Sequence, residues 1–450
     1  MATDSFNVYL RKKKLLCPLM NVPKHYEKVW NSNASEISRS ALDEQEDTLS
    51  EQDAASRDLA MSNYVILKEI LGHLVSWQDL KLVSYVCQAW ADVVKNITKH
   101  CIKSQVFCLY WIEGVTFEKE YLRAEPEPLL ILAFANSKSL QFQYSCNEYP
   151  DSPCDPDCKA KHKMMDYVHA ALSYPSPSLM VLSCERVLYY PPSVKDNREN
   201  RASFNEAIAS KGSCTCGVIL PKIPGVHVHS VDSKLECEAE IQLIRKICKI
   251  METEIIKCIL VFVGNQYERL ENNFLTVIQT IRHSQPCTPV AVGGCRVNTS
   301  YHKNFNLTAK RDGEPFSVLI FSVDKDTEEE VDFHCYSAVF LEDHDIESKM
   351  KQLSEFPRRE SSAALKLSCV GRTDLDQQEH QLFSKYFPAT SLTGCYGQQE
   401  IGLDCYPSAP PLPALARASL PTRRHSKPGQ DSLFHSYSTI MVVFSWGKLL

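Results

Sequence analysis

The chain has 450 residues, 44% of them hydrophobic and 23% charged, with a formal net charge of −6. That length suits two or three domains of about 150 residues, and the composition is that of a protein with a sizeable buried core. It excludes a general nucleic-acid binder, which would carry clustered excess Lys and Arg. No run of about 18 apolar residues occurs, so no membrane-spanning helix is expected. The opening MATDSFNVYLRKKK lacks the apolar centre of a secretory signal, so export is not expected either. The 19 cysteines are scattered through apolar runs such as CILVFV and IRKIC. Free cysteine behaves as a small buried hydrophobe, and this usage suits a reducing compartment, cytoplasm or nucleus, better than a disulfide framework.

Residues 1–60 read as a disordered leader, polar and without sustained periodicity. Within it, 31–60 set eight acidic residues against Arg39 and Arg57. Residues 61–105 read as helical. Ser62 or Asn63 supplies a cap, and Ile66, Ile70, Leu71 and Leu74 follow at helical spacing. After a polar connection, LKLVSYVCQAWADVV (Leu80 to Val94) reads as one short helix. Leu80, Leu82, Val83, Val86, Cys87, Trp90, Val93 and Val94 are too many apolar positions for a single buried stripe. Such a helix is expected to meet two neighbours, its own unit and a partner protein. A unit of about 40 residues has a marginal core of its own, which points the same way.

From residue 106 to 450 the texture becomes α/β (α+β): apolar strands separated by amphipathic helices, hence sheets covered by helices. Strands are expected at 129–135, 179–184, 216–221, 258–263, 289–294, 316–322, 336–341, 365–370 and 437–446. Ile241, Ile244, Ile247, Cys248 and Met251 describe one helix face; Leu270, Phe274, Val277, Ile278 and Ile281 describe another. We place a boundary between N- and C-terminal halves near 255–285. Residues 407–431, Pro-rich and basic, read as an exposed loop. No short-period repeat is evident.

Catalytic templates are largely absent. The sequence has no GxGxxG, no GxxxxGK[ST], no GxSxG and no HExxH. No CxxC pair occurs, which excludes the usual zinc ribbon and RING. The best metal candidate is Cys146, Cys154, Cys158 and His162, four ligands within 17 residues, although an exposed loop with incidental thiols is the plainer reading and no metal or cofactor is expected. Cys214 and Cys216 read as a turn beside a strand, and Gly293-Gly294 as a turn at a strand end. Cys369 closes an apolar strand next to Gly371 and Arg372. A neighbouring Arg would activate its thiol, so these three are the candidate substrate-binding residues, with a core cysteine as the plainer alternative.

Val65 to Val94 resembles an F-box, whose pattern runs roughly Leu-x-x-Ile-Leu-x-x-Leu, then Asp-Leu, then Val-Cys-x-x-Trp. Leu67, Ile70, Leu71 and Leu74 stand in its first part, and Asp79, Leu80, Val86, Cys87 and Trp90 in its second. Ser62-Asn63 takes the place of the usual Leu-Pro start. The remainder, through SCVGR, FPATSLTGCYGQQEIGLD and DSLFHSYSTIM, resembles the FIST family. The resemblance implies a small all-helical F-box followed by a FIST-type body. It implies a non-catalytic adaptor subunit of an SCF (Skp1-cullin-F-box) ubiquitin ligase. Docking on a Skp1-like protein would use Leu67, Ile70, Leu71, Leu74, Leu80, Leu82, Val83, Val86, Cys87 and Trp90. Cullin and RING subunits would join through that adaptor, and target proteins would be held by the body for degradation. The alternatives are a FIST-type small-molecule sensor, and an enzyme acting through Cys369, for which no base is assignable. Neither nucleic acid nor membrane is an expected partner.

Overall fold

The computed structural model describes residues 63–72, 80, 82–100, 104–111, 118–120, 128–141, 143–145, 161–163, 179–190, 212–233, 236–264, 271–286, 288–302, 316–328, 331–341, 346–407 and 433–450. The expected leader, residues 408–431 of the Pro-rich loop, Leu74, Asp79, Leu270, and the Cys146, Cys154 and Cys158 positions lie outside them.

The described residues fall into two units. The first holds α1 (Tyr64–Gly72), α2 (Gln88–His100) and a two-stranded ribbon described below. Asn63 caps α1: its Oδ1 accepts from the amides of Val65 (3.0 Å) and Ile66 (3.3 Å), and its carbonyl from that of Leu67 (2.9 Å). The stretch read as one helix is two. The amides of Ser84, Tyr85 and Val86 bond back to the carbonyls of Leu80, Leu82 and Val83, closing a turn, and α2 restarts with Ala91 N–H to Cys87 O at 3.0 Å. Its excess of apolar faces therefore has a local cause: two helical segments parted by a turn share one run of sequence.

In chain order the strands and remaining helices begin with β1 (Gln105–Trp111), β2 (Glu118–Glu120), β3 (Pro128–Asn136), α3 (Ser137–Gln141), β4 (Gln143–Ser145) and β5 (Lys161–Lys163). Then come β6 (Leu179–Cys184), β7 (Arg186–Tyr190), β8 (Ser213–Pro221), β9 (Val226–Ser233), α4 (Glu236–Thr253), β10 (Glu254–Gly264) and α5 (Glu271–Ser284). Next are β11 (Ala291–Val297), β12 (Thr299–His302), β13 (Phe316–Asp324), β14 (Phe333–Phe340), α6 (Ile346–Leu353) and β15 (Arg359–Cys369). The chain closes with α7 (Asp376–Tyr386), β16 (Ser391–Gly397), β17 (Glu400–Leu403), β18 (Phe434–His435) and β19 (Thr439–Leu449). β4 and β5 form the ribbon of the first unit.

The second unit is built three times over. Its sheets contain the orders β6-β3-β8-β1, β11-β10-β13-β9 and β16-β15-β19-β14. In each, four strands taken in chain order as first to fourth lie in the spatial order third, second, fourth, first. The second and third strands are parallel and the other pairs antiparallel in all three. After its third strand each repeat gives a short strand to another repeat. β7 pairs with β16, β12 with β6, and β17 with β11, so the exchange closes a cycle. Around the expected division near 255–285, residues 254–264 form β10 and 271–284 form α5, and β7 and β12 each pair in a sheet on the other side of it.

One face of each sheet meets a common centre. In β10, Cys258, Leu260 and Phe262 face it while Ile259, Val261 and Val263 face away, and both sets are buried. Strands covered on both faces read as continuous apolar runs, which is why the sequence revealed them. Outside the second sheet lie Leu243, Ile247 and Ile250 of α4 and Phe274, Val277, Ile278 and Ile281 of α5. Outside the third lie Ile346, Met350 and Leu353 of α6 and Phe383 of α7. The face expected for α4 is rotated, since Ile241 and Cys248 are exposed. Nine cysteines (Cys108, Cys184, Cys214, Cys216, Cys258, Cys295, Cys335, Cys395 and Cys405) sit in the common centre as free thiols. Cys214 and Cys216 are thus strand residues, not a turn, with Cys214 Sγ 3.6 Å from Cys108 Sγ.

Gly293-Gly294 is likewise strand interior. A Cβ on Gly294 would stand 2.0 Å from the Val261 carbonyl oxygen, and one on Gly394, at the matching place in the third repeat, 1.8 Å from that of Lys366. Glycine there lets the parallel pair close. Gly394→Ala is expected to cost about 3 kcal/mol, because the obstacle is backbone and cannot swing aside; the shift of the urea midpoint measures it.

Candidate functional site

Two places carry candidate function, one in each unit. In the helical unit, Leu67 (0% exposed), Leu71 (2%), Leu80 (6%), Val93, Val94 and Ile97 form the core, with Val83 and Trp90 packed partly against it. Four of the expected docking residues, Leu67, Leu71, Leu80 and to a lesser degree Trp90, are therefore internal. Val83 is half-buried against the same core, and Leu74 lies outside the described residues. Ile70, Leu82, Val86 and Cys87 point outward: Ile70 is 49% exposed, Leu82 43% and Val86 49%, and Cys87 is exposed. Val65, Ile66 and Tyr85, the last 73% exposed, were not among the expected residues and join them. Leu82, two residues beyond Leu80 in one helical segment, lies across it from Leu80, and the turn at Ser84–Val86 leaves Tyr85 and Val86 exposed. These exposed apolar side chains are the candidate docking surface of the unit.

In the body, Cys369, Gly371 and Arg372 stand at the carboxyl end of β15, where ligands gather in open α/β sheets. The structure buries Arg372 there but leaves Cys369 half-buried and Gly371 exposed. Arg372 is 0% exposed and fully engaged. Its Nε and Nη2 donate to Glu379 Oε1 at 3.0 and 2.9 Å, Nε also to Thr439 Oγ1 at 3.3 Å, and Nη1 to the Tyr437 carbonyl at 3.3 Å. The Tyr437 ring lies over the guanidinium, 5.8 Å to its centroid. Arg372 is thus a clamp on α7, not an activator of Cys369, whose thiol stays half-buried with its backbone amide bonded to the Ser438 carbonyl. Gly371 leaves room for Tyr437: a Cβ would come within 3.3 Å of the ring.

Lys366, in mid-β15, is also 0% exposed and reaches Asp376 Oδ1 at 2.5 Å and Glu379 Oε2 at 2.9 Å. Burial opposes its charge, but Glu379 and Asp376 outweigh that and hold its pKa above the usual lysine value. Asp376 is partly desolvated, which raises its pKa, yet Lys366 and the hydroxyls of Tyr190 and Tyr396 lower it further. Its share of stability is present above the ordinary aspartate range and is lost as pH falls through its depressed pKa. A lysine held between two carboxylates is a cation, not a general base. Lys366 within AALKLSC was the legible signal for this network, since a charge inside an apolar strand needs a buried partner.

Among the described residues no group of three or more His, Cys, Asp or Glu side chains is placed to hold a metal ion. His162, on β5, is the one expected metal ligand whose backbone is described. No described helix is long and apolar enough to cross a membrane. No family model matches the chain, and no characterised protein matches it in sequence. Among solved structures, the crystal structure of cyanuric acid hydrolase from A. caulinodans is similar at 6% identity, covering 72% of this chain and 92% of that one, with a TM-score of 0.26. So slight a likeness carries no argument about fold or chemistry.

Proposed function

We propose that the chain is the target-holding adaptor subunit of an SCF-type ubiquitin ligase, and is not itself an enzyme. The observation that supports this most is the outward apolar set on the helical unit: Ile70 from α1, and Leu82, Tyr85 and Val86 from the turn. Apolar side chains at helical spacing fit a groove on a Skp1-like partner, and buried anchors of this kind carry most of such an interface's energy. The body, with its own core, would hold the target protein, and cullin and RING subunits would join through the partner. The chain's share of the reaction is then proximity between target and ubiquitin donor. Arg372 and Lys366, closed off in ion pairs, favour a binding body over a catalytic one. The setting is cytoplasm and nucleus, where free thiols persist.

The test is direct. The full chain co-expressed with a Skp1-like protein should elute with it as one complex and should support target ubiquitination once cullin and RING subunits are added. A chain that elutes alone at micromolar concentration of both proteins overturns the reading.

A further inference from the structure

Glu400 opens β17, the strand that the third repeat gives to the second sheet, and is 0% exposed. Its Oε2 accepts from Ser438 Oγ at 3.0 Å and from the Ser438 amide at 3.3 Å, while Oε1 has no hydrogen-bond partner. A buried carboxyl oxygen without a donor disfavours the ionised form. The groups around it come from every neighbouring element. Cys295 is its register partner on β11, with the thiols of Cys395 and Cys184 behind. His435 is its partner on β18, with Nε2 placed 3.1 Å from the Gly402 carbonyl. Arg372 is committed to Glu379 of α7. Burial raises the Glu400 carboxyl, the Ser438 bonds, its own backbone amide and Arg372 pull it part of the way back, and the net value stands at about 7. Beside it Tyr437 holds φ at 55°, left-handed backbone that an L side chain adopts only under constraint.

We propose that the Tyr437–Ser438 corner is a pH-sensitive latch, shut while Glu400 is protonated and released as Glu400 ionises. Opening hydrates the carboxyl and returns it to the ordinary glutamate pKa of about 4.3. The closed form therefore binds the proton more tightly, and each pH unit between the two values favours opening about tenfold. Above the closed-form value both states are ionised and the dependence stops. The released elements are the bonds of Ser438 to Glu400 and of Cys369 N–H to the Ser438 carbonyl.

Hydrogen exchange of the full chain from pH 5 to 8.5, corrected for the chemical rate, reads this out. Protection of the Ser438 and Cys369 amides should fall about tenfold per unit up to pH 7 and level off by pH 8, while Leu260 in β10 keeps its protection. Glu400→Gln should flatten the profile and His435→Gln should leave it unchanged. The proposal is overturned if Glu400→Gln keeps the slope, if His435→Gln removes it, or if Leu260 shows the same slope, which would mean the unit opens as a whole. Should Glu400→Gln not fold, the carbon-13 shift of the wild-type Glu400 carboxyl decides: a group already ionised at pH 5.5 overturns the latch.

Discussion

Cutting Leu82 and Val86 back to alanine together is expected to weaken binding to a Skp1-like protein by roughly a thousandfold. Anchors of this kind cost about 2 kcal/mol each on truncation, and the two sum to about 4 kcal/mol, or three decades in Kd, if they act independently. Both side chains are nearly half exposed in the helical unit, at 43% and 49%, so their loss should leave its melting unchanged. Leu80→Ala is the contrast. Leu80 is 6% exposed against Leu67, Leu71 and Val94, and its truncation should destabilise the unit by about 2–5 kcal/mol, removing docking through unfolding rather than through contact. Titration calorimetry together with far-ultraviolet circular dichroism separates the two. If the Leu82/Val86 double variant binds as the wild type does, the outward set is not the docking surface.

Glu379→Ala should be the most damaging single change in the body. Glu379 is 0% exposed and meets both Arg372 and Lys366, themselves 0% exposed. Removing it leaves the Arg372 guanidinium without a carboxylate and Lys366 with Asp376 alone. Breaking a buried pair costs about 3–5 kcal/mol, because an uncompensated charge stays in the interior. Soluble yield should fall sharply and the urea midpoint with it. Replacing the triad together, Lys366→Met with Arg372→Leu and Glu379→Leu, should recover most of that loss, since desolvation of the charges disappears with their attraction. If the triple variant is no better than Glu379→Ala, the network does more than offset its own burial.

The elements and the core faces were legible where the physics is local. The runs at 129–135, 179–184, 258–263 and 316–322 lie within β3, β6, β10 and β13, and that at 437–446 lies within β19 but for its first two residues, because strands buried on both faces must be apolar throughout. The α5 face of Phe274, Val277, Ile278 and Ile281 was legible for a similar reason, since one side of that helix meets a sheet and the other does not. Strands with mixed composition, β9 (VHVHSVDS) and β16 (SLTGCYG), passed unnoticed. Polar and small residues lower a strand's own signal, and these two are specified by their neighbours in the sheet.

Sequence by itself determined that this protein has a short helical unit followed by a large body of apolar strands and covering helices, since helix and strand periodicity is written into successive residues. Only the tertiary structure decided that the body is one four-strand arrangement repeated three times and closed by exchanged strands. Which strands pair depends on contacts between residues such as Cys295 and Glu400, far apart in sequence, and periodicity does not encode partners. It also decided that Leu80 turns inward while Leu82 and Val86 stay exposed, because Leu82 lies across the helical segment from Leu80 and a hydrogen-bonded turn ends that segment before Val86. Finally, it decided that Arg372 serves Glu379 rather than Cys369. A charge beside a thiol in sequence goes to whichever opposite charge the fold buries next to it.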